Sequence, residues 1–219
     1  MSRRLVDLSH IVAHGLETYP GLPAPAISDH LSRVASRAHY APGTEFQISR
    51  IEMVANTGTY LDAPFHRFAG ATDLAELPLE RLADLPGVVI DASAVGRRIG
   101  VETLPACDLR DCAVLFRTGW SQHFGTPGYA VGHPFLTGAV AEQLALRGAA
   151  LAGIDSLNID DMDDGARPVH TALLRAGIPI VEHLTGLDTL LGAAFRFFAV
   201  PVKVRGMGTF PVRAFAIVG

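Results

Sequence analysis

The 219-residue chain is poor in cysteine, in charge and in aromatic residues, with two cysteines, 18% charged residues and one tryptophan. Cys107 and Cys112 are too few for a disulfide scaffold and too widely spaced for a Cys-x-x-Cys motif, so both thiols read as reduced. No basic stripe exists to neutralise phosphates: 18 Lys+Arg stand against 22 Asp+Glu, a net charge of −4, which excludes a nucleic-acid scaffold. Long apolar runs are also missing. The most apolar stretch, Leu190 to Val204, is broken by Arg196, Pro201 and Lys203, and nothing approaches the ~20 residues of a membrane span. The first ten residues hold Arg3 and Arg4, but Asp7 and His10 interrupt any signal-peptide core. A cytoplasmic protein is expected, with neither nucleic acid nor membrane as partner.

What is present is apolar and continuous. Hydrophobic residues make up 49% of the chain, too many for a disordered one, and a chain this long buries roughly 70% of its extended surface. No internal repeat, low-complexity tract or linker-like shift divides it, so residues 1–219 are expected to form one domain. Short runs rich in β-branched or aromatic residues recur at Leu5–Leu8, Phe46–Val54, Val88–Ile90, Val114–Phe116, Ala149–Ile154, Ile178–Val181, Phe197–Val204 and Val212–Val218. Most are bounded by Gly, Pro or Asp and read as strands. In Phe46–Val54 the apolar phase changes, and a bulge near Arg50 would reconcile it. Helices are predicted over Thr137–Arg147, before Gly148, and over Pro168–Ala176, before Gly177; Glu80–Leu85 adds a turn. The pattern is α/β and strand-rich, with few short helices.

The chemistry concentrates in two places. Asp62 and His66 lie four apart in Ala55–His66, with Tyr60 just ahead, in a stretch that Gly58 and Pro64 mark as a sharply shaped loop. A turn-stabilising Asp explains that pair without catalysis. Far along the chain, His170 begins the second helix and Glu182 closes an apolar strand, where α/β proteins often place functional groups; a plain surface carboxylate is the alternative. The acidic run Asp160–Asp164 fails the calcium-loop pattern, because Met162 takes a ligand position. It reads as a solvated loop whose acidic rim would favour cationic substrates. Gly206-x-Gly208 lacks the third glycine of a dinucleotide fingerprint, and no serine or cysteine sits in a nucleophile setting.

These pieces occur in a telling order. Asp7-Leu-Ser-His10, Tyr19-Pro-Gly21, Gly58-Thr-x-x-Asp62-Ala-Pro-x-His66, Arg117-Thr-Gly-Trp120, Gly153-Ile-Asp155, Pro168-Val-His170-Thr, Ile180-Val-Glu182 and Lys203–Arg213 together resemble the cyclase family of metal-dependent hydrolases, which includes bacterial kynurenine formamidases and isatin hydrolase. The resemblance covers nearly the whole chain. It implies a swivelling β/β/α fold, a small-molecule substrate and assembly as a homodimer or homotetramer. The family motif is His-x-Gly-Thr-His-x-Asp-x-Pro-x-His, and this chain departs from it at two metal-ligand positions, where Asn56 and Tyr60 stand. Asp62, His170 and Glu182 match remaining ligands, and His66 matches the proton-transfer group.

An Asn carbonyl is a weak metal ligand and a neutral phenol a weaker one, so the family's two-ion site does not assemble in its usual form. Asp62, His170 and Glu182 are enough for one divalent ion, zinc or manganese, with open positions for water. The expected activity is hydrolysis of a small amide, lactam or related carbonyl compound, with His66, Tyr60 and Glu182 as the catalytic group and Tyr19, Asn56, Phe68 and Trp120 lining the substrate site. Two alternatives stand beside it. One is a metal-independent dehydratase, cyclase or isomerase in which His66 moves protons and Tyr60 donates to a developing oxyanion. The other is a non-catalytic binding protein on the same fold.

Overall fold

The computed structural model describes residues 3–219. Its strands are β1 (Arg4–Asp7), β2 (Ala26–Leu31), β3 (Ile48–Glu52), β4 (Tyr60–Asp62), β5 (Leu85–Asp91), β6 (Arg98–Ile99), β7 (Ala113–Arg117), β8 (Phe135–Leu136), β9 (Leu151–Ile154), β10 (Ile180–Glu182), β11 (Phe195–Phe198), β12 (Thr209–Pro211) and β13 (Phe215–Val218). The helices are α1 (Arg33–Ser36), α2 (Gly138–Leu146) and α3 (Pro168–Arg175).

Nine strands form one sheet in the order β1-β13-β11-β5-β7-β9-β10-β4-β12. Strands β5, β7, β9 and β10 run parallel and carry the apolar runs expected of strands covered on both faces. Alternation along β7 divides the interior. Val114 and Phe116 face α2 and α3, packing with Val140, Leu144, Val169 and Leu173. Ala113 and Leu115 point the other way, into a cluster that joins Val6, Phe197 and Ala216 from one end of the sheet with Leu61 and Val181 from the other. That cluster exists because the sheet curls over itself, giving two β layers and a helical layer. Pro168 opens α3, where its missing N–H costs nothing, and Gly177 ends it at φ +71°.

Several element boundaries differ from the sequence reading. Residues 60–62 are a buried strand inside the sheet, not a loop, because Leu61 needs a core position that only a strand provides. The run Phe46–Val54 contracts to β3, which pairs with β2, a strand without apolar alternation to announce it. This two-stranded ribbon is exposed, and its irregularity lies between Asp29 and Leu31 on β2, not at Arg50. The run Phe197–Val204 stops at Phe198, ahead of Pro201, and Val212–Val218 narrows to β13, β12 having ended at Pro211.

Candidate active site

Sheet register builds the site. β4 pairs with β10 so that Tyr60 lies opposite Glu182, and with β12 so that Asp62 lies opposite Thr209. Tyr60 and Asp62 are two apart on one strand and share a face, so four polar side chains from three strands converge there. The 3-10 turn Pro64–His66 then brings His66 to the same spot. Gly208 makes that approach possible, because a Cβ at this position would lie 2.3 Å from the His66 backbone nitrogen. Gly58, at φ +65° and bound through its N–H to Thr18 Oγ1 at 2.7 Å, turns the chain into β4.

The hydrogen bonds assign donors and acceptors. Thr209 Oγ1 donates to Asp62 Oδ1, since a carboxylate only accepts. Having given its single proton away, Thr209 Oγ1 accepts from His66 Nδ1–H at 2.8 Å. His66 therefore donates from Nδ1, so in the neutral ring the bare nitrogen is Nε2, on a side chain that is 36% exposed. Asp62 itself is fully buried, and its Oδ2 has no hydrogen-bond partner. Burial pushes the Asp62 carboxyl up, but the neighbouring His170 and His66 imidazoles and the Thr209 hydroxyl outweigh it and hold the group below its ordinary range.

His170 is held by a residue the sequence reading missed. Asp160, expected on a solvated loop, is fully buried: its carboxylate accepts from Val169 N at 2.7 Å and His170 N at 3.0 Å, and contacts His170 Nδ1 at 2.7 Å. This satisfies the open N–H groups of α3 and turns His170 Nε2 toward Asp62 Oδ2 at 3.6 Å and Glu182 Oε1 at 3.7 Å. Burial disfavours the imidazolium, yet the bond to Asp160 and the nearby charges of Asp62 and Glu182 push its pKa up to about 10. No periodicity or spacing distinguishes Asp160 from Asp161, Asp163 and Asp164.

Glu182 is equally enclosed. Its Oε2 accepts from Tyr60 O–H at 2.7 Å and its Oε1 from Ile159 N at 2.6 Å. Burial, first of all, raises its pKa to about 7. Behind Tyr60, His183 Nε2 lies 3.3 Å from the phenol oxygen and His183 Nδ1 lies 2.9 Å from Tyr129 O–H. Burial depresses the His183 pKa to about 3, so its ring is neutral. Because Tyr60 gives its proton to Glu182, the chain runs one way: Tyr129 donates to His183, His183 to Tyr60, Tyr60 to Glu182. Tyr60 thus has no proton to offer an oxyanion, and the expectation that it donates to substrate is corrected.

A cavity of about 260 Å³ opens over this cluster, bordered by Tyr19, Asn56, Tyr60, Asp62, His66, His170 and Glu182. Phe68 and Trp120 do not line it. Phe68 packs against the helical-face core under the Arg67 and Arg175 guanidiniums. Trp120 spends its indole N–H on the Tyr129 carbonyl at 2.8 Å. Two further motif pieces prove structural: Asp155 accepts from Thr118 N and Oγ1, both at 2.6 Å, and from Gly119 N at 2.9 Å, pinning the Arg117–Trp120 loop.

The residues fit one divalent cation. Ligand atoms of Asp62, His66 and His170 lie within 4.8 Å of one another, and Asp62 Oδ2 is buried without a partner. The carboxylate-rich hole that favours an imidazolium at His170 also favours a metal ion in place of that proton. His66, expected only as the proton carrier, joins this group, whereas both Glu182 oxygens already accept hydrogen bonds.

The Cyclase family model, described as putative cyclase, matches residues 6–161. The chain belongs to the cyclase family. It is 28% identical over 210 residues to the kynurenine formamidase of Bacillus cytotoxicus, an alignment covering 95% of each. It is 28% identical over 202 residues to that of Erythrobacter litoralis, covering 92% of this chain and 88% of the relative. Among solved structures, one described as a potential metal-dependent hydrolase with cyclase activity superposes with a TM-score of 0.79 at 25% identity, covering 99% of this chain and 98% of the other. An isatin hydrolase bound to the product analogue thioisatinate superposes at 0.84 with 20% identity, covering 99% and 92%, and shares the fold. The chain is a cyclase-family hydrolase, and its mixed α/β architecture is that of the family.

Proposed function

We propose that this enzyme hydrolyses the C–N bond of a small amide, lactam or related carbonyl compound, with His66 as general acid and base. The observation that carries the reading is the Asp62–Thr209–His66 chain, which sets the tautomer of the neutral His66 ring so that Nε2 is its base nitrogen beside the cavity. His66 Nε2 takes a proton from water as the water oxygen adds to the carbonyl carbon, and returns it to the departing nitrogen, giving a carboxylic acid and an amine. Asp62 and His170, with Glu182 Oε1 3.7 Å from His170 Nε2 as a third oxygen donor if the Ile159 N–H is shared, would hold one zinc or manganese ion, which when bound would lower the pKa of water and polarise the carbonyl, while His66 Nε2 stays free for the proton. Asp160 orients His170, and Tyr60 orients Glu182.

The test is turnover of aryl formamides and isatin by the purified enzyme, with His66→Gln alongside. Loss of ~10²-fold or more in kcat, with metal content retained, is expected. Full activity in His66→Gln sinks the assignment.

One observation favours a second reading. Glu182 is already bonded at both oxygens, by Tyr60 and Ile159, and a site so satisfied suits metal-independent dehydration or isomerisation with His66 as the proton carrier. Retention of activity after dialysis against chelator selects it. Convergence of Asp62, His66, His170 and Glu182 on one cavity supports catalysis over a binding-only role.

The sheet takes in both β1 and β13, which supports the reading of 1–219 as one domain. Exposed Ile27, Phe46, Ile48 and Ile51 on and beside the β2–β3 ribbon support a homodimer or homotetramer, testable by light scattering. Among the described residues no helix is long and apolar enough to cross a membrane. The free thiols of Cys107 and Cys112 support a cytoplasmic location.

A further inference from the structure

The acids of the site lie on its floor, and the mouth is basic. Arg67 and Arg167 both border the cavity, from separate elements: Arg67 follows the turn that carries His66, and Arg167 is the residue before α3. The arginines that pair with carboxylates lie elsewhere. They are Arg37, Arg50, Arg97, Arg117, Arg196 and Arg213, and among the described residues neither Arg67 nor Arg167 makes an ion pair. Arg67 uses Nε on Thr171 Oγ1 at 3.3 Å, and Arg167 uses Nη1 on the Asp161 carbonyl at 3.1 Å. A guanidinium has five N–H donors, so most remain free at the mouth. Arg167 is held there at φ 48°, ψ 59°, a backbone region that disfavours a side chain. The Tyr19 hydroxyl lies beside Arg167 and Asn158, adding neutral polar groups to the same rim.

We propose that Arg67 and Arg167 bind a carboxylate on the substrate, so that the enzyme takes small carbonyl compounds bearing an anionic group a few bonds from the scissile carbonyl. The inference rests on the hydrolytic reading for what happens at the other end of the molecule. Charge dictates the orientation. Asp62 and Glu182 repel an anion from the floor, and unpaired arginines attract it to the rim, which directs the neutral carbonyl inward to His66. Planar guanidinium groups match the two oxygens of a carboxylate. A volume of about 260 Å³ suits a single-ring compound. The acidic run expected to recruit cations does not border the cavity with free charge: Asp160 turns inward to His170, and Asp161 lies 3.8 Å from Arg97.

Calorimetric binding of 2-aminobenzoate against aniline, to the enzyme as purified, tests this without turnover. The carboxylate-bearing ring is expected to bind at least tenfold tighter. That advantage should fall fivefold or more in Arg167→Gln and in the exposed-site variant Arg67→Gln, and should partly return in Arg167→Lys. Equal binding of the two rings overturns the proposal. So does an advantage that survives in the folded double variant, since the carboxylate is then held elsewhere. Absence of formamide turnover with the binding difference intact would count against the hydrolytic reading alone; turnover with no binding difference would count against the arginine site alone.

Discussion

Tyr60 donates its phenolic proton to Glu182 Oε2 at 2.7 Å, across the register that sets β4 against β10. This bond occupies a position where the family motif has a metal-binding histidine. A buried phenol cannot ligate a metal without losing its proton, and here burial, with Glu182 and Asp62 charges adding to it, raises the Tyr60 pKa well above 10.0. The carboxylate that would otherwise face a second ion is stabilised by a hydrogen bond from a neutral group.

Tyr60→Phe deletes that donor and strands both Glu182 Oε2 and the His183 Nε2–H in a closed interior. A stability loss of about 1–3 kcal/mol is expected, measured by denaturant unfolding. An unchanged midpoint would mean the bond contributes nothing.

Replacing both departures together, Asn56→His with Tyr60→His, should restore the second pair of imidazole ligands. Metal per chain, measured by mass spectrometry, should rise from one to two, while either single substitution leaves it at one.

Thr209→Val keeps the size of the side chain but cuts the link between Asp62 and His66. With the tautomer of His66 no longer set, kcat should fall on the order of 10²-fold with little change in KM, and Thr209→Ser should recover most of it. Comparable kcat for Val and Ser variants would rule out this role.

Asp160→Asn leaves His170 in place but removes the charge that orients it. Metal affinity should fall about 10–100-fold, read by competition with a chromophoric chelator. The α3 N-terminus should also loosen, visible as faster amide exchange at Val169 and His170.

Acid stability carries the signature of His183. Its folded pKa, depressed by burial to about 3, lies below that of an unfolded histidine near ~6.5. Between those values the unfolded chain binds the extra proton, so stability falls as pH drops, by up to ~1.4 kcal/mol per pH unit. His170, raised to about 10 when its carboxylate partners outweigh burial, contributes in the opposite sense. Its stabilisation is present below ~6.5 and is lost as pH climbs toward about 10. The difference between wild type and His183→Gln should therefore narrow steadily from pH 6.5 to pH 4, and a constant difference would contradict it.

The sequence by itself determined the α/β class, the helices α2 and α3 and most of the apolar strands, and it offered Asp62, His66, His170 and Glu182 as the candidates for the chemistry. Those features rest on local physics: side-chain periodicity, proline and glycine at helix ends, and the donor set of Asp, His and Glu. The family resemblance adds that Asn56 and Tyr60 stand where its motif has histidines. Tertiary structure decided the rest, because the remaining choices are made between strands distant in the chain. Only the β4–β12 register pairs Asp62 with Thr209, and only the curled sheet buries Asp160 against His170 while its acidic neighbours stay outside. Phe68 and Trp120 carried the same aromatic signal as Tyr19, yet packing turned them away from the cavity. The direction of the proton on His66 depends on a threonine 143 residues further along the chain, and no spacing rule reaches across that distance.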